Sequence, residues 1–321
     1  MTKYKNLIVD GNNFLFRAFY VVKLMNKKRE DDVDQQETDR AILIQFFKML
    51  KNLVGQYPTD HIFFTWDKKI NTTNSHNFRN DLADYKGQRE STDEITNVLL
   101  LHDRIQPILD AMGVTTVFPY NLEADDVINH LSKTLEGRNL IVSSDKDLLQ
   151  LVNDNTDVLL PTKNLLVNVD NFTMNANISR DKFVLHKCIL GDVSDNIKGL
   201  SGYGIVKATK LVNYLHDNNI FCMEDDKDNC LTVDQWMVIE NNMKIIDLEY
   251  ARTTFPDEFA MYNPQIKSST FDRHLLKHLF EENRMVYFVN TFSEIIRLFD
   301  KTPLTNQEND ISSILDALGI N

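Results

Sequence analysis

The chain has 321 residues, 42% of them hydrophobic, which is enough for two domains sharing or splitting a core and excludes a disordered tail. Acids outnumber bases 47 to 35 for a net charge of -12, the reverse of the basic footprint usual in a nucleic-acid binder. A local basic stripe is still allowed, and acids gathered around cations are partly neutralised by them.

No apolar run approaches the length of a membrane span, and strand-like Leu7-Ile8-Val9 follows Met1 too closely for a signal peptide. The three cysteines, Cys188, Cys222 and Cys230, form no C-x-x-C pair, so neither a disulfide framework nor a zinc site is expected. A cytoplasmic protein with reduced thiols is the expectation.

Leu7-Ile8-Val9 ends in Asp10, and Phe14 to Tyr20 then starts a helix. The run Lys27 to Asp32 reads as a solvated charged loop. Ile42, Phe46, Phe47, Met49, Leu50 and Leu53 make an amphipathic helix closing near Gly55 and Pro58, and His61 to Trp66 is a second strand ending in an acid, Asp67. From Asn71 to Glu94 the composition turns polar. If helical, it sets Arg79, Lys86 and Arg89 on one face with Phe78 and Tyr85 beside them, as in a mobile element that engages phosphates and stacks bases.

Asp93 to Met112 reads as one amphipathic helix closed by Gly113, and Val114 to Val117 as a strand. Ala124, Val127, Ile128, Leu131 and Leu135 then form a helical apolar stripe that leaves Glu123, Asp125 and Asp126 at its N-terminal end, where acids suit the helix dipole. His130 on that helix reads as a surface residue. The buried-strand run Leu140-Ile141-Val142 is followed by Asp145 and Asp147, a short helix to Val152, and a strand pair at 158–160 and 165–169.

Strands that terminate at Asp10, Asp67 and Asp145, separated by helices, predict a mostly parallel α/β sheet with the three acids at its carboxyl edge. Bringing carboxylates together costs repulsion and desolvation unless cations bind between them, and oxygen-only ligands suit magnesium or manganese.

Beyond the α/β region, Arg180 to Leu190 is helical and leads to Asp192 and Asp195, then to Gly199, Gly202 and Gly204 and a helix start bearing Lys207 and Lys210. Such a turn can hold a phosphate of a duplex backbone on its amides. From about 220 onward the chain is acidic and helical, with Trp236, Met237, Ile245, Ile246, Leu275, Leu276, Leu279, Val286, Phe288, Ile295, Ile296 and Phe299 as core candidates. In the last eleven residues Ile311, Ile314, Leu315 and Leu318 repeat at helical spacing, which suits docking on the protein's own helices or on a partner.

Taken together these segments resemble the structure-specific 5'-nuclease (flap endonuclease) superfamily. The matching pieces are V-D-G-N-N-F-L-F-R-A-F with Asp10 and Arg17, W-D-K-K with Asp67, F-R-N-D-L-A-D-Y-K-G-Q-R with Lys86 and Arg89, L-E-A-D-D with Glu123, Asp125 and Asp126, S-S-D-K-D with Asp145 and Asp147, and L-G-D-V-S-D-N with Asp192 and Asp195. Length and the segment Asn241 to Leu248 look closest to the T-even phage ribonuclease H type.

The resemblance implies a PIN-like α/β nuclease domain over 1–179 with a flexible arch around 71–94. A helical domain over 180–321 would carry a helix-three-turn-helix around 185–212. Two Mg2+ ions, replaceable by Mn2+, would divide between a tighter cluster of Asp10, Asp67, Glu123, Asp125 and Asp145 and a second of Asp147, Asp192 and Asp195, with Asp126 shared or in the outer shell. Lys86 and Arg89 would approach the scissile phosphate. Arg17, Arg79, Tyr85, the three glycines, Lys207 and Lys210 would bind nucleic acid, with a monovalent cation at the helix-three-turn-helix.

Cleavage near 5' ends or flap junctions of DNA and RNA-DNA duplexes is implied, with removal of RNA primers in phage-type replication. A monomer, cytoplasmic in the phage's host, is implied as well, with a single-stranded-DNA-binding protein and a sliding clamp as partners. The rival readings are a PIN-type ribonuclease or another metal-dependent phosphoryl-transfer enzyme, and a non-catalytic junction-binding module.

Overall fold

The computed structural model describes residues 4–27, 34–67, 79, 92–119, 121–260, 262 and 270–301. In chain order the first half comprises β1 (Tyr4–Asp10), α1 (Gly11–Asn26), α2 (Gln35–Gln56), β2 (Thr59–Thr65), α3 (Asp93–Leu100), α4 (His102–Ala111), β3 (Thr115–Val117), α5 (Ala124–Thr134), β4 (Asn139–Val142), β5 (Thr156–Leu160), β6 (Leu165–Val167) and α6 (Phe172–Ala176). The second half comprises α7 (Phe183–Leu190), a hairpin of β7 (Gly191–Asp192) and β8 (Ile197–Lys198), α8 (Ile205–Asp217), α9 (Val233–Ile246), α10 (Leu248–Thr254), α11 (Pro256–Ala260), α12 (Arg273–Glu282), α13 (Val286–Asn290) and α14 (Phe292–Phe299). Among the described residues no helix is long and apolar enough to cross a membrane.

The strands pair in the order β3-β2-β1-β4-β5-β6, parallel except for β6, which runs antiparallel to β5. Alternation along each strand serves both faces of this sheet, because successive side chains point to opposite sides. Leu7, Val9, Ile62, Phe64, Leu140 and Val142 enter one core with α1, α2 and α4. Ile8, Phe63, Ile141 and Val158 enter the other, with α5 and α6. Both faces are covered, which explains why these strands read as unbroken apolar runs.

The expected helix over 93–112 is two, turned at buried Leu101, so that Leu101 and Ile105 reach the core while Ile95 and Leu99 face a cleft. A third cluster, built by α7, α8 and α9 around Trp236, Ile239 and Ile189, stands apart from the sheet.

The last helices do not join that third cluster. Leu276, Phe280, Met285, Phe288, Ile295 and Phe299 enter the core shared with α2, where Phe47 meets the rings of Phe280 and Phe288 at 6.4 and 6.3 Å. Residues 273–299 therefore pack on the α/β region, whereas the expectation had drawn a helical domain over 180–321. Trp236 and Ile246 are buried as expected, but Met237, Leu275 and Val286 are exposed. Residues 311–321 lie outside the described residues.

Phe280→Ala removes a fully buried ring between α12 and α2. It is expected to cost about 3–5 kcal/mol, read as a lower melting temperature in a single transition that includes loss of the α/β signal. A separate early transition of the last helices alone would contradict this shared core.

Candidate metal and nucleic-acid site

Parallel pairing of β1 with β2 and β4 sets Asp10 opposite Thr65 and Val9 opposite Val142, so the loops carrying Asp67 and Asp145 leave the same edge as Asp10. That edge lies beyond the carboxyl ends of the strands, where the chain turns from β1 toward β2 on one side and β4 on the other. The close approach needs Gly11, since a Cβ there would sit 2.5 Å from the Trp66 ring. Trp66, buried against Phe64 and Phe46, carries Asp67 next in sequence.

A cleft of about 340 Å3 opens at this edge, and Asp10, Asp67, Glu123, Asp125, Asp145, Asp147 and Asp195 all line it. Neutral donors hold several of the acids. Asp10 caps α1 by accepting from the Asn13 amide at 3.0 Å and accepts from the Ser143 hydroxyl at 2.7 Å. Asn12 donates to Asp67 at 2.8 Å, and the Ala124 amide donates to the other oxygen at 3.2 Å. Ser143 also accepts from the Asp145 amide at 3.0 Å, and Asn13 from the Ser144 amide at 3.0 Å. Gln150 bonds Ile246 and Leu248 at 3.0 Å each, which pins the 3-10 turn that starts at Asp147 to the junction of α9 and α10.

Burial and the Asp67 charge push the Asp10 carboxyl up to about 7, partly offset by its Asn13 and Ser143 hydrogen bonds. Asp125 is raised well above the carboxylate range by burial first, then by Asp145, Asp10, Asp67 and Glu123. Both shifts come from burial first and from the neighbouring acids second, and both disfavour the ionised carboxylates.

Two acids stand aside from this ring. Asp126 is fully buried, with both oxygens on the Arg79 guanidinium at 2.6 and 2.8 Å and one also accepting from the Glu123 amide at 3.0 Å. Arg79 further donates to the Ile245 carbonyl at 3.2 Å. Arg79 is therefore buried and not part of an exposed stripe for phosphates, which corrects that expectation, while for Asp126 the buried pair argues against sharing a metal and agrees with an outer-shell place, since Arg79 also lies 3.9 Å from Glu123. Asp192 lies behind the cleft, where Lys187 on α7 bonds both Asp147 and, at 3.0 Å, Asp192. Burial opposes ionisation of Asp192, but hydrogen bonds from Ser194 and Lys187 hold its carboxyl below the usual range. Lys187 carried no sequence motif and was missed.

Of the other expected residues, Arg17 lines a separate cavity of about 150 Å3 with Asn52, Gln56 and Asn164, and burial lowers the pKa of its guanidinium. Lys207 and Lys210 are exposed on α8. Gly202 takes φ 80° and Gly204 caps α8, both open to solvent, while Gly199 is required by packing, as a Cβ would meet the Leu190 carbonyl oxygen at 2.2 Å. His130 is buried against the Phe259 ring at 5.4 Å and is not a surface residue. Tyr85, Lys86 and Arg89 lie outside the described residues, as does most of the expected arch.

The chemistry of the donor set fits hydrated divalent cations. Among the described residues no three His, Cys, Asp or Glu side chains converge closely enough to hold an ion by themselves. An ion that keeps several waters and takes one or two carboxylates, as magnesium does, suits such an open ring.

Asp10 binds its proton more tightly in the folded chain, its pKa pushed up to about 7 from the usual carboxylate value near 3.8. In ion-free buffer its contribution to stability is therefore largest at low pH and is lost as pH rises from about 4 toward 7. Asp10→Asn is expected to stabilise the ion-free protein at pH 8 by up to about 4 kcal/mol, read as a higher melting temperature, and to leave the melting temperature nearly unchanged at pH 4. The opposite trend, a greater gain at pH 4, would contradict the repulsion described. Arg79→Met is expected to cost about 3–5 kcal/mol by leaving Asp126 as an uncompensated buried charge, with part of the loss recovered in the double variant carrying Asp126→Asn, and with the salt dependence of DNA binding unchanged.

A family model described as the 5'-3' exonuclease N-terminal resolvase-like domain matches residues 5–181. A "5'-3' exonuclease" of Mycoplasmopsis pulmonis is 32% identical over 216 residues, covering 65% of this chain and 66% of that one. A "DNA polymerase I" of Mycobacterium bovis is 31% identical over 215 residues, 64% of this chain and 22% of the polymerase. The solved bacteriophage T5 flap endonuclease, in a pseudo-enzyme-product complex with DNA and metal ions, has a similar fold, with a TM-score of 0.59 at 18% identity over 87% of this chain and 99% of that one. The chain belongs to the 5'-3' exonuclease family.

Proposed function

We propose that the protein is a divalent-metal-dependent 5'-nuclease that hydrolyses phosphodiesters near 5' ends or flap junctions of DNA and RNA-DNA duplexes. The observation that carries this reading is the set of seven carboxylates lining one cleft at the carboxyl edge of the sheet. Family membership and the likeness to a flap endonuclease fold support it. The finer reading is removal of RNA primers during phage-type replication, with a single-stranded-DNA-binding protein and a sliding clamp as partners.

Asp10, Asp67, Glu123, Asp125 and Asp145 would hold one magnesium ion, and Asp147, Asp192 and Asp195 the second, with manganese able to substitute. When bound, such ions lower the pKa of an attacking water and stabilise the leaving oxygen. The chain's own residues do the rest. Asn12, Asn13 and Ser143 fix the carboxylates by neutral hydrogen bonds, which orient them without cancelling their charge.

Hairpin β7-β8 brings Asp195 to the cleft, and the same segment leads through Gly202 and Gly204 into α8, whose exposed Lys207 and Lys210 would take backbone phosphates. These contacts position a duplex and carry no sequence information. Lys86 and Arg89 would offset charge on the scissile phosphate.

Activity on a 5'-flap substrate with and without magnesium tests the reading. Asp145→Asn is expected to abolish cleavage, by at least about 100-fold, while junction binding stays within a few-fold, because the acids serve chemistry and the basic residues serve affinity. Cleavage that persists without divalent ions, or binding that collapses along with activity, would overturn it.

A further inference from the structure

Lys187 stands where the proposed second ion would be held, and the inference drawn from it rests on the reading of the cleft as a divalent-cation site. The ammonium group bonds Asp147 and Asp192 together, although one acid starts the 3-10 turn after β4 and the other opens the hairpin after α7. All three side chains are largely shielded, with 15% exposure for Lys187, 17% for Asp147 and 20% for Asp192. The remaining oxygen of Asp192 accepts from both the amide and the hydroxyl of Ser194. A cation placed between these two acids therefore meets Lys187 first.

We propose that Lys187 is a positioning residue that occupies the second-ion position in the substrate-free protein and makes that ion's binding depend on substrate. Asp147, Asp192 and Lys187 sum to one negative charge, so the pair is nearly neutralised without a metal. An incoming divalent ion has to displace an ammonium already in place, and the displaced ammonium needs an anion. A phosphate of the nucleic acid supplies one, since lysine is a compact point charge on a flexible stem and exchanges partners without the geometric demands of a guanidinium. Around the proposed first ion, Asp10 and Asp67 accept hydrogen bonds from Asn13, Ser143, Asn12 and a backbone amide, and Arg79, 3.9 Å from Glu123, keeps its short bonds for Asp126. Two ions would then bind unequally in the absence of nucleic acid, and the weaker would tighten when a phosphate arrives.

The test is a Mn2+ titration of the full chain without nucleic acid, with free Mn2+ read by electron paramagnetic resonance. The wild type is expected to show one tight and one weak ion. Lys187→Met is expected to tighten the weak ion at least about tenfold, whereas Lys187→Arg keeps it weak because a cation remains. Asp147→Asn should remove the gain when combined with Lys187→Met. A 5'-phosphorylated duplex with non-hydrolysable linkages added to the wild-type protein should tighten the weak ion, with little such effect in Lys187→Met.

A purely structural lysine would lower the melting temperature of Lys187→Met and leave the weak ion unchanged or weaker, and that result overturns the proposal. If the wild type binds two ions equally tightly, the proposal fails while the nuclease reading stands. If no variant binds Mn2+, both fail together.

Discussion

Mutual repulsion among carboxylates is the constraint on which the rest of this structure depends. Seven acids line one cleft, and burial together with neighbouring charge raises Asp10 to about 7 and Asp125 well above the carboxylate range. A chain left to itself would spread such groups into water. Here the parallel sheet prevents this, because β1 is locked between β2 and β4 by continuous register and both sheet faces are covered by apolar cores. Stability supplied by the cores is partly consumed at the sheet edge, an arrangement expected where function, and not folding, selects the residues.

Around Asp10 and Asp67 the hydrogen-bond donors shown are neutral. Asn12 and Asn13 lie in the first turn of α1, directly after Asp10, and Ser143 follows β4, so these three partners come from the same strand ends that deliver the acids. Trp66 closes the arrangement from below by packing its ring on Gly11, which fixes how near the β2 loop comes to the start of α1. Apolar contact sets the distance and neutral hydrogen bonds set the orientation, which leaves the charges unspent for cations.

Much of this was legible in the sequence because the governing signals are local. Apolar runs of strand length that end in Asp10, Asp67 and before Asp145 announce both the sheet and the cleft, and an acid pair opening an apolar helical stripe places Glu123 and Asp125. Contacts between distant segments were not legible. Arg79 shares a polar stretch with Lys86 and Arg89, and nothing in spacing tells that its guanidinium is buried against Asp126, which lies 47 residues on. Lys187 sits in the apolar helix α7 with no motif around it, and only the fold brings it to Asp147. Helices 273–299 have amphipathic stripes that state that a face is buried but not which core receives it, so their return to α2 is a property of the fold and not of the local pattern. His130 reads as a surface residue for the same reason, since it is buried and packs against the Phe259 ring on the distant α11.

The acids of this region differ most in the partner that holds each one, and that difference orders their availability. Asp126 faces an arginine, whose planar guanidinium stays charged at every relevant pH and binds both oxygens in parallel, so the pair is permanent and serves to clamp α5 to residue 79 and the end of α9. Asp147 and Asp192 face a lysine, a counter-charge that can be exchanged because it makes single contacts from a flexible stem. Asp10 and Asp67 accept from amides and a hydroxyl, donors that orient a carboxylate and carry no charge themselves. Affinity for a divalent cation should rise along that series, from none at the arginine-held acid through a conditional site at the lysine-held pair to the strongest at the acids held by neutral donors. A ring of similar side chains thereby acquires distinct roles from the second partner of each carboxylate and not from the carboxylates themselves.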